Sequence, residues 1–205
     1  HHLLKNHSYN LNHFQILNLP NNISLVIIMN DKHFIYRQSN SILKFVNDLD
    51  YNYGFLINDD IIFKKNGWDI LYYNASIKSN FDHLVYFDPN FKKKDHYNYN
   101  KYLQSYCKPE NCQGALFTFT KELIEKIGYF DEENIKIRGH SHIDFTLRCC
   151  RLNFNDNNYL YDILNSQDYL ELNNKDYISS FTKLPYQLRE LYKVDVYEQD
   201  KRIKI

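Results

Sequence analysis

The sharpest change from apolar to charged residues in the chain falls within Tyr53-Gly54-Phe55-Leu56-Ile57-Asn58-Asp59-Asp60-Ile61-Ile62, where a run of the right length for a buried strand ends on two adjacent carboxylates. In open α/β sheets, ligands lie beyond the carboxyl ends of the strands, so an acidic pair at such an end is placed to face a ligand. Successive residues of an extended segment point to opposite sides, which gives Asp59 and Asp60 different tasks. One can take a ribose hydroxyl while the other holds a divalent cation, because Mg²⁺ and Mn²⁺ prefer carboxylate oxygen and commonly share it with a substrate phosphate. The plainer alternative is that the pair caps the next turn or is solvated.

Other elements must hold that strand in place. Residues 23–29 (ISLVIIM) form a continuous, mostly β-branched run, which predicts a parallel strand buried on both faces. Residues 39–49 put Ile42, Leu43, Phe45, Val46 and Leu49 on one helical face, with Ser39 or Asn40 as the cap. With the acidic strand these make a strand, helix, strand unit that topology requires to be right-handed and parallel. Residues 68–79 read as a helix with Ile70, Leu71, Ala75 and Ile77 inward, and residues 84–87 (LVYF) as a third strand stopped by Asp88-Pro89. Residues 90–110 are polar, rich in Lys and Tyr, and show no steady period, so they are assigned to an acceptor-side loop or lid. Residues 114–120 alternate as a strand; Thr120 then caps a helix over 121–127 that Gly128 stops. A further helix covers 141–152, with Ser141 and Asp144 at the spacing of a capping box and Phe145, Leu147 and Leu152 available to the core. Beyond it lie a patterned segment at 160–164 and an amphipathic helix candidate at 184–194.

With 205 residues, the chain fits one domain with a real core, or one domain and a C-terminal extension. Its 25 basic and 25 acidic residues balance, which argues against a general binder of nucleic acid or of membrane surfaces. No apolar run approaches the ~20 residues of a transmembrane segment, and the first residues lack a signal-peptide pattern. The spacing of Cys107, Cys112, Cys149 and Cys150 fits no zinc site, and reduced, partly buried thiols are expected of a cytoplasmic protein.

Three segments together resemble the GT-A fold glycosyltransferases, in particular the family-2-like enzymes that use nucleotide-diphosphate sugars. Residues 54–62 followed by Trp68 resemble the strand that carries the family's DxD-type metal motif, although the literal spacing here is Asn58-x-Asp60. Residues 114–123, with Lys126-Ile127-Gly128-Tyr129-Phe130-Asp131-Glu132, are similar to the family's strand, helix and Gly-x-Phe-Asp-Glu segment, which lines donor sugar and acceptor. Ser141-His142-Ile143-Asp144-Phe145-Thr146-Leu147-Arg148 stands where the family has Glu-Asp-x-Asp-x-x-x-Arg. The order and spacing of the three hold over residues 23–154. The resemblance implies an α/β, mostly parallel Rossmann-like sheet flanked by helices. A GT-A-like domain would occupy residues 1–154, and residues 155–205 would form a C-terminal extension packed on it. The family's first nucleotide-binding strands would lie upstream of residue 1 or be missing.

The activity so implied is hexosyl or N-acetylhexosaminyl transfer from a nucleotide-sugar donor to a hydroxyl of a glycan, protein or lipid, with Mn²⁺ or Mg²⁺ as cofactor. Asp60 would bind the metal, and Asp59 the ribose or the metal. The metal neutralises the departing diphosphate. Gly114 would let the backbone approach the donor sugar, or simply open a strand. His142 stands in place of the family's catalytic Asp and can act as general base, since imidazole titrates near neutrality, or as a metal ligand; Asp144 or Asp131 can serve as base instead. Arg148 pairs with Asp144 at i,i+4 spacing or faces the diphosphate. The alternative reading is a catalytically silent domain that binds a glycan or supports an upstream or partner transferase domain.

Overall fold

The computed structural model describes residues 14–18, 24–28, 35–88, 97–98, 100–109, 112–131 and 141–173. In chain order the elements are β1 (Phe14–Asn18), β2 (Ser24–Ile28), α1 (Ile35–Asn47), β3 (Tyr53–Ile57), β4 (Ile61–Phe63) and α2 (Trp68–Ser79). There follow β5 (Tyr97–Asn98), β6 (Leu103–Cys107), β7 (Leu116–Thr120), α3 (Lys121–Ile127), α4 (Ser141–Arg151), β8 (Leu160–Ile163) and β9 (Leu170–Leu172). The helix candidate at 184–194 lies outside the described residues.

β3 pairs with β7 in antiparallel register, Ile57 opposite Leu116. On the other side of β7 runs the 84–87 segment: Thr118 N–H donates to Leu84 O at 2.9 Å and Tyr86 N–H to Leu116 O at 3.0 Å. Val85 N–H then reaches Tyr161 O in β8 at 2.9 Å, and β8 pairs with β6. Hydrogen bonds thus run from β3 through β7 and 84–87 to β8, β6 and β5. Because β7 opposes both β3 and 84–87, those two segments run in the same direction. Alternation along 84–87 sends Leu84 and Tyr86 into one apolar cluster with Tyr72 and Ala75 of α2, and Val85 into another with Leu43, Leu123 and Phe145 from α1, α3 and α4. The protein is a mixed α/β structure with core on both sides of these strands.

Several expectations are corrected. The strand ladders among the described residues are antiparallel, and β2 pairs with β1 and not with β3. A continuous β-branched run signals burial and does not specify the direction of a partner. Helix α1 begins at Ile35, ahead of the expected caps. Asn40 is instead a buried residue of its interior, whose amide donates to Phe130 O at 3.0 Å and accepts from Phe130 N–H at 2.8 Å. Helix α2 buries Tyr72, Ala75 and Ser76, while Ile70 and Ile77 stand 61% and 65% exposed. Both faces of this helix are apolar, and Tyr72 decides between them because its hydroxyl has a buried acceptor, Asp162, at 2.5 Å. The 90–110 stretch is not all loop: it contains β5 and β6, with Leu103 and Ser105 buried.

Other expectations hold. Thr120 accepts from Leu123 N–H at 3.2 Å to cap α3, and Gly128, at φ 75°, ends it. All four cysteines are unbridged, with Cys112, Cys149 and Cys150 buried.

Two buried polar groups tie the layers together. Asp162 accepts at Oδ1 from Tyr72 O–H and Ile163 N–H, and at Oδ2 from Phe87 N–H and Ser166 O–H, while burial pushes its carboxyl up to about 7. His83 donates from Nδ1 to Thr118 O at 3.2 Å, since a carbonyl only accepts, and its Nε2 lies 2.9 Å from the Thr146 hydroxyl. Burial lowers the His83 imidazole to about 4, against the opposing pull of the Thr118 carbonyl. Its folded-state pKa lies below the ordinary value of 6.5. The stability it contributes is therefore complete above that value and is lost as pH falls toward about 4. In an NMR titration, the His83 ring resonances are expected to hold their neutral-form positions from about pH 7 to about pH 5, where an exposed histidine would titrate.

Candidate functional site

The carboxylate pair sits where β3 ends. Asn58 N–H donates to Ala115 O at 2.9 Å, which extends the β3–β7 ladder by one step. Ile61 N–H reaches back to Asn58 O at 3.4 Å, so residues 58–61 form a turn with Asp59 and Asp60 at its centre. The chain leaves the turn into β4, which pairs with β9, and Asn173 N–H donates to Asp60 O at 2.8 Å. The turn is therefore fixed from both sides by backbone.

Asp59 is exposed and Asp60 half-buried. Asp60 Oδ1 is itself buried and meets no hydrogen-bond donor. Burial raises the Asp60 pKa, its own backbone N–H pulls the other way, and the Asp59 carboxylate adds repulsion. A buried carboxylate oxygen without a donor is unfavourable and is relieved by a cation or a proton. Among the described residues no three His, Cys, Asp or Glu side chains gather as a metal site. One carboxylate at this turn nevertheless suits Mg²⁺ or Mn²⁺ bound together with a substrate phosphate, since such ions use one or two protein carboxylates and take their other ligands from phosphate and water.

Gly114 and His142 meet at the same end of the β3–β7 ladder. Gly114 adopts φ +68°, and a Cβ built on it would lie 2.5 Å from His142 Cγ, so the imidazole rests directly on the glycine backbone. The close approach that a glycine allows is taken here by a histidine ring. His142 Nε2 stands 3.1 Å from Cys112 O. A carbonyl only accepts, so Nε2 carries the proton, and in the neutral ring the lone pair is on Nδ1. The Asn58–Ala115 bond places the Asp59-Asp60 turn beside the strand leader that carries Gly114.

Asp144 and Arg148 are elsewhere. Two residues along an α-helix turn through about 200°, which puts Asp144 on the side of α4 away from His142. Asp144 is 5% and Arg148 1% exposed, and Asp144 Oδ2 lies 3.0 Å from Nε and 2.9 Å from Nη2 of Arg148. The guanidinium also donates to Ile127 O at 2.6 Å and to Tyr129 O at 2.7 Å, which fastens α4 to the end of α3. Trp68 packs edge-on against Phe55 with ring centroids 4.8 Å apart and lies 4.9 Å from Phe63.

Sequence reasoning missed Gln113. It is 4% exposed, and its Oε1 accepts from Asp88 N–H at 3.0 Å, which joins the end of the 84–87 segment to the strand leader. A lone glutamine before a glycine carries no period or motif that would reveal it.

No protein-family profile matches the chain, and no solved structure matches it. Among curated proteins, the chain is similar to an uncharacterized glycosyltransferase, R363, of Acanthamoeba polyphaga mimivirus, with 29% identity over 177 residues. The alignment covers 84% of this chain and 67% of the viral protein, and it supports a general role in glycosyl transfer.

Proposed function

We propose that this protein is a metal-dependent, GT-A-like glycosyltransferase of the family-2-like kind, moving a sugar from a nucleotide-diphosphate donor to a hydroxyl of a glycan, protein or lipid. The observation that carries the reading is the buried, donorless Asp60 Oδ1 in a backbone-fixed turn, at the same strand end as the His142–Gly114 contact. Similarity to the mimivirus glycosyltransferase supports the glycosyl-transfer part of this reading.

Asp60, with Asp59 on the metal or the ribose, would hold Mn²⁺ or Mg²⁺. When bound, the cation supplies positive charge against the negative charge that develops on the leaving diphosphate. His142 is the base in this reading. Its Nε2–H donates to Cys112 O, which fixes the tautomer and the position of the ring. The Asp144–Arg148 pair acts through position, by anchoring the helix whose first turn carries His142.

Calorimetric titration of UDP and GDP with Mn²⁺ or with EDTA tests the proposal. Tight binding only with the metal is expected. A folded protein that binds neither nucleotide overturns it in favour of a catalytically silent domain. The His142 role has its own test in Gly114→Ala. The new methyl collides with the ring, and alanine is strained at positive φ, so the imidazole must leave its carbonyl partner. The turnover rate is expected to fall about 10- to 100-fold, the scale of misplaced general-base catalysis. Metal-dependent nucleotide affinity should stay within about twofold, well under 1 kcal/mol.

A further inference from the structure

Gln113 carries a second unpaired polar atom. Its Nε2 is buried and meets no acceptor. The carboxamide cannot simply be turned round to relieve this, because Oε1 is needed as the acceptor for Asp88 N–H. Two N–H bonds are therefore fixed in direction, in a side chain 4% exposed, between Cys112, whose carbonyl holds His142, and Gly114, on which the His142 ring rests. Leaving such a donor buried and unmade is unfavourable, and a ligand that supplies the acceptor relieves it.

We infer that Gln113 is a substrate-binding residue whose amide N–H groups donate to a hydroxyl or acetamido oxygen of the transferred sugar. This rests on the transfer reading of the site and adds a specificity element to it. The donor is neutral, and Asp59, Asp60 and Asp88 are nearby in the chain's fold, so an uncharged sugar oxygen suits the position better than a phosphate. A site built to hydrogen-bond a substrate hydroxyl also rejects analogues that lack it, because its own buried group is then left unpaired.

The test is Gln113→Glu, which keeps an acceptor for Asp88 N–H while replacing the amide donor with oxygen. UDP, GDP and a panel of their glucose, galactose, mannose and N-acetylhexosamine conjugates are titrated with Mg²⁺ into the native and variant proteins. The side-chain NH₂ signals of Gln113, identified by their loss in the variant, are followed by NMR. At least one conjugate is expected to shift those signals and to bind the variant 10-fold or more weakly, while free UDP or GDP binds both proteins within twofold. Conjugates that bind but leave the Gln113 signals and the variant's affinity unchanged, as an internal water partner would give, overturn the role of Gln113 and leave the transfer reading standing. A folded native protein that binds neither nucleotides nor conjugates overturns both. Gln113→Met, which retains side-chain volume without charge, separates a lost donor from an added carboxylate: the same loss of conjugate affinity is expected of it.

Discussion

Asp60→Asn is expected to abolish metal-dependent nucleotide binding and to lower any transfer activity by about a thousandfold, while leaving the ligand-free protein as stable as the native one or more so. The two halves of this result have one cause. The carboxylate carries a buried oxygen without a donor and stands next to a second acid, so its ionised form is disfavoured unless a cation is present. Removing the charge removes that penalty, and with it the carboxylate that would hold the proposed cation. The pH dependence follows. The Asp60 pKa is raised above its ordinary value of 3.8, so the group favours folding below that value, and the benefit is lost as pH rises through the raised pKa. The stability advantage of the asparagine variant over the native protein should therefore grow across that window, in thermal melts without metal. Added Mn²⁺ with UDP or GDP should raise the melting temperature of the native protein alone. A variant that keeps metal-dependent binding would remove Asp60 from the site.

The second large effect concerns stability. Asp144→Ala is expected to cost about 3–5 kcal/mol, because it leaves a fully buried guanidinium without its counter-charge. That is a large part of the roughly 5–15 kcal/mol available to a domain. Urea unfolding measures it. The paired change Asp144→Leu with Arg148→Met should recover much of the loss, since it removes both charges and fills their volume, although it gives up the two guanidinium bonds to the Ile127 and Tyr129 carbonyls. A double variant no more stable than Asp144→Ala would show that those carbonyl bonds outweigh the ion pair.

The parts legible in the sequence were those with a local physical signature. Thr120, the apolar positions of 121–127 and Gly128 define α3 within a dozen residues, and the four-residue spacing of Asp144 and Arg148 announced their ion pair. The strand before Asp59 was plain because the switch to charge is abrupt. What was hidden depends on distant partners. Ile70, Leu71 and Ile77 outweigh Tyr72 in apolar pattern, and only Asp162, ninety residues away, selects the face with Tyr72. Asn40 looked like a cap because asparagine favours helix starts, yet its partner is the backbone of Phe130. The contact of Gly114 with His142 was likewise unreadable, although both residues stood out singly.

The hydrogen bond from Asn173 to the carbonyl of Asp60 also bears on how the protein is made. During synthesis Asp60 leaves the ribosome more than a hundred residues ahead of the strand that braces it, so the nascent chain carries an unbraced acidic turn until β9 has emerged. That contact closes a loop of more than a hundred residues, and contacts so far apart in sequence carry a large closure entropy. Metal competence would then be acquired near the end of the process, and a ribosome-stalled or proteolytic fragment ending before Leu170 would present the two carboxylates without the strand that holds them in place.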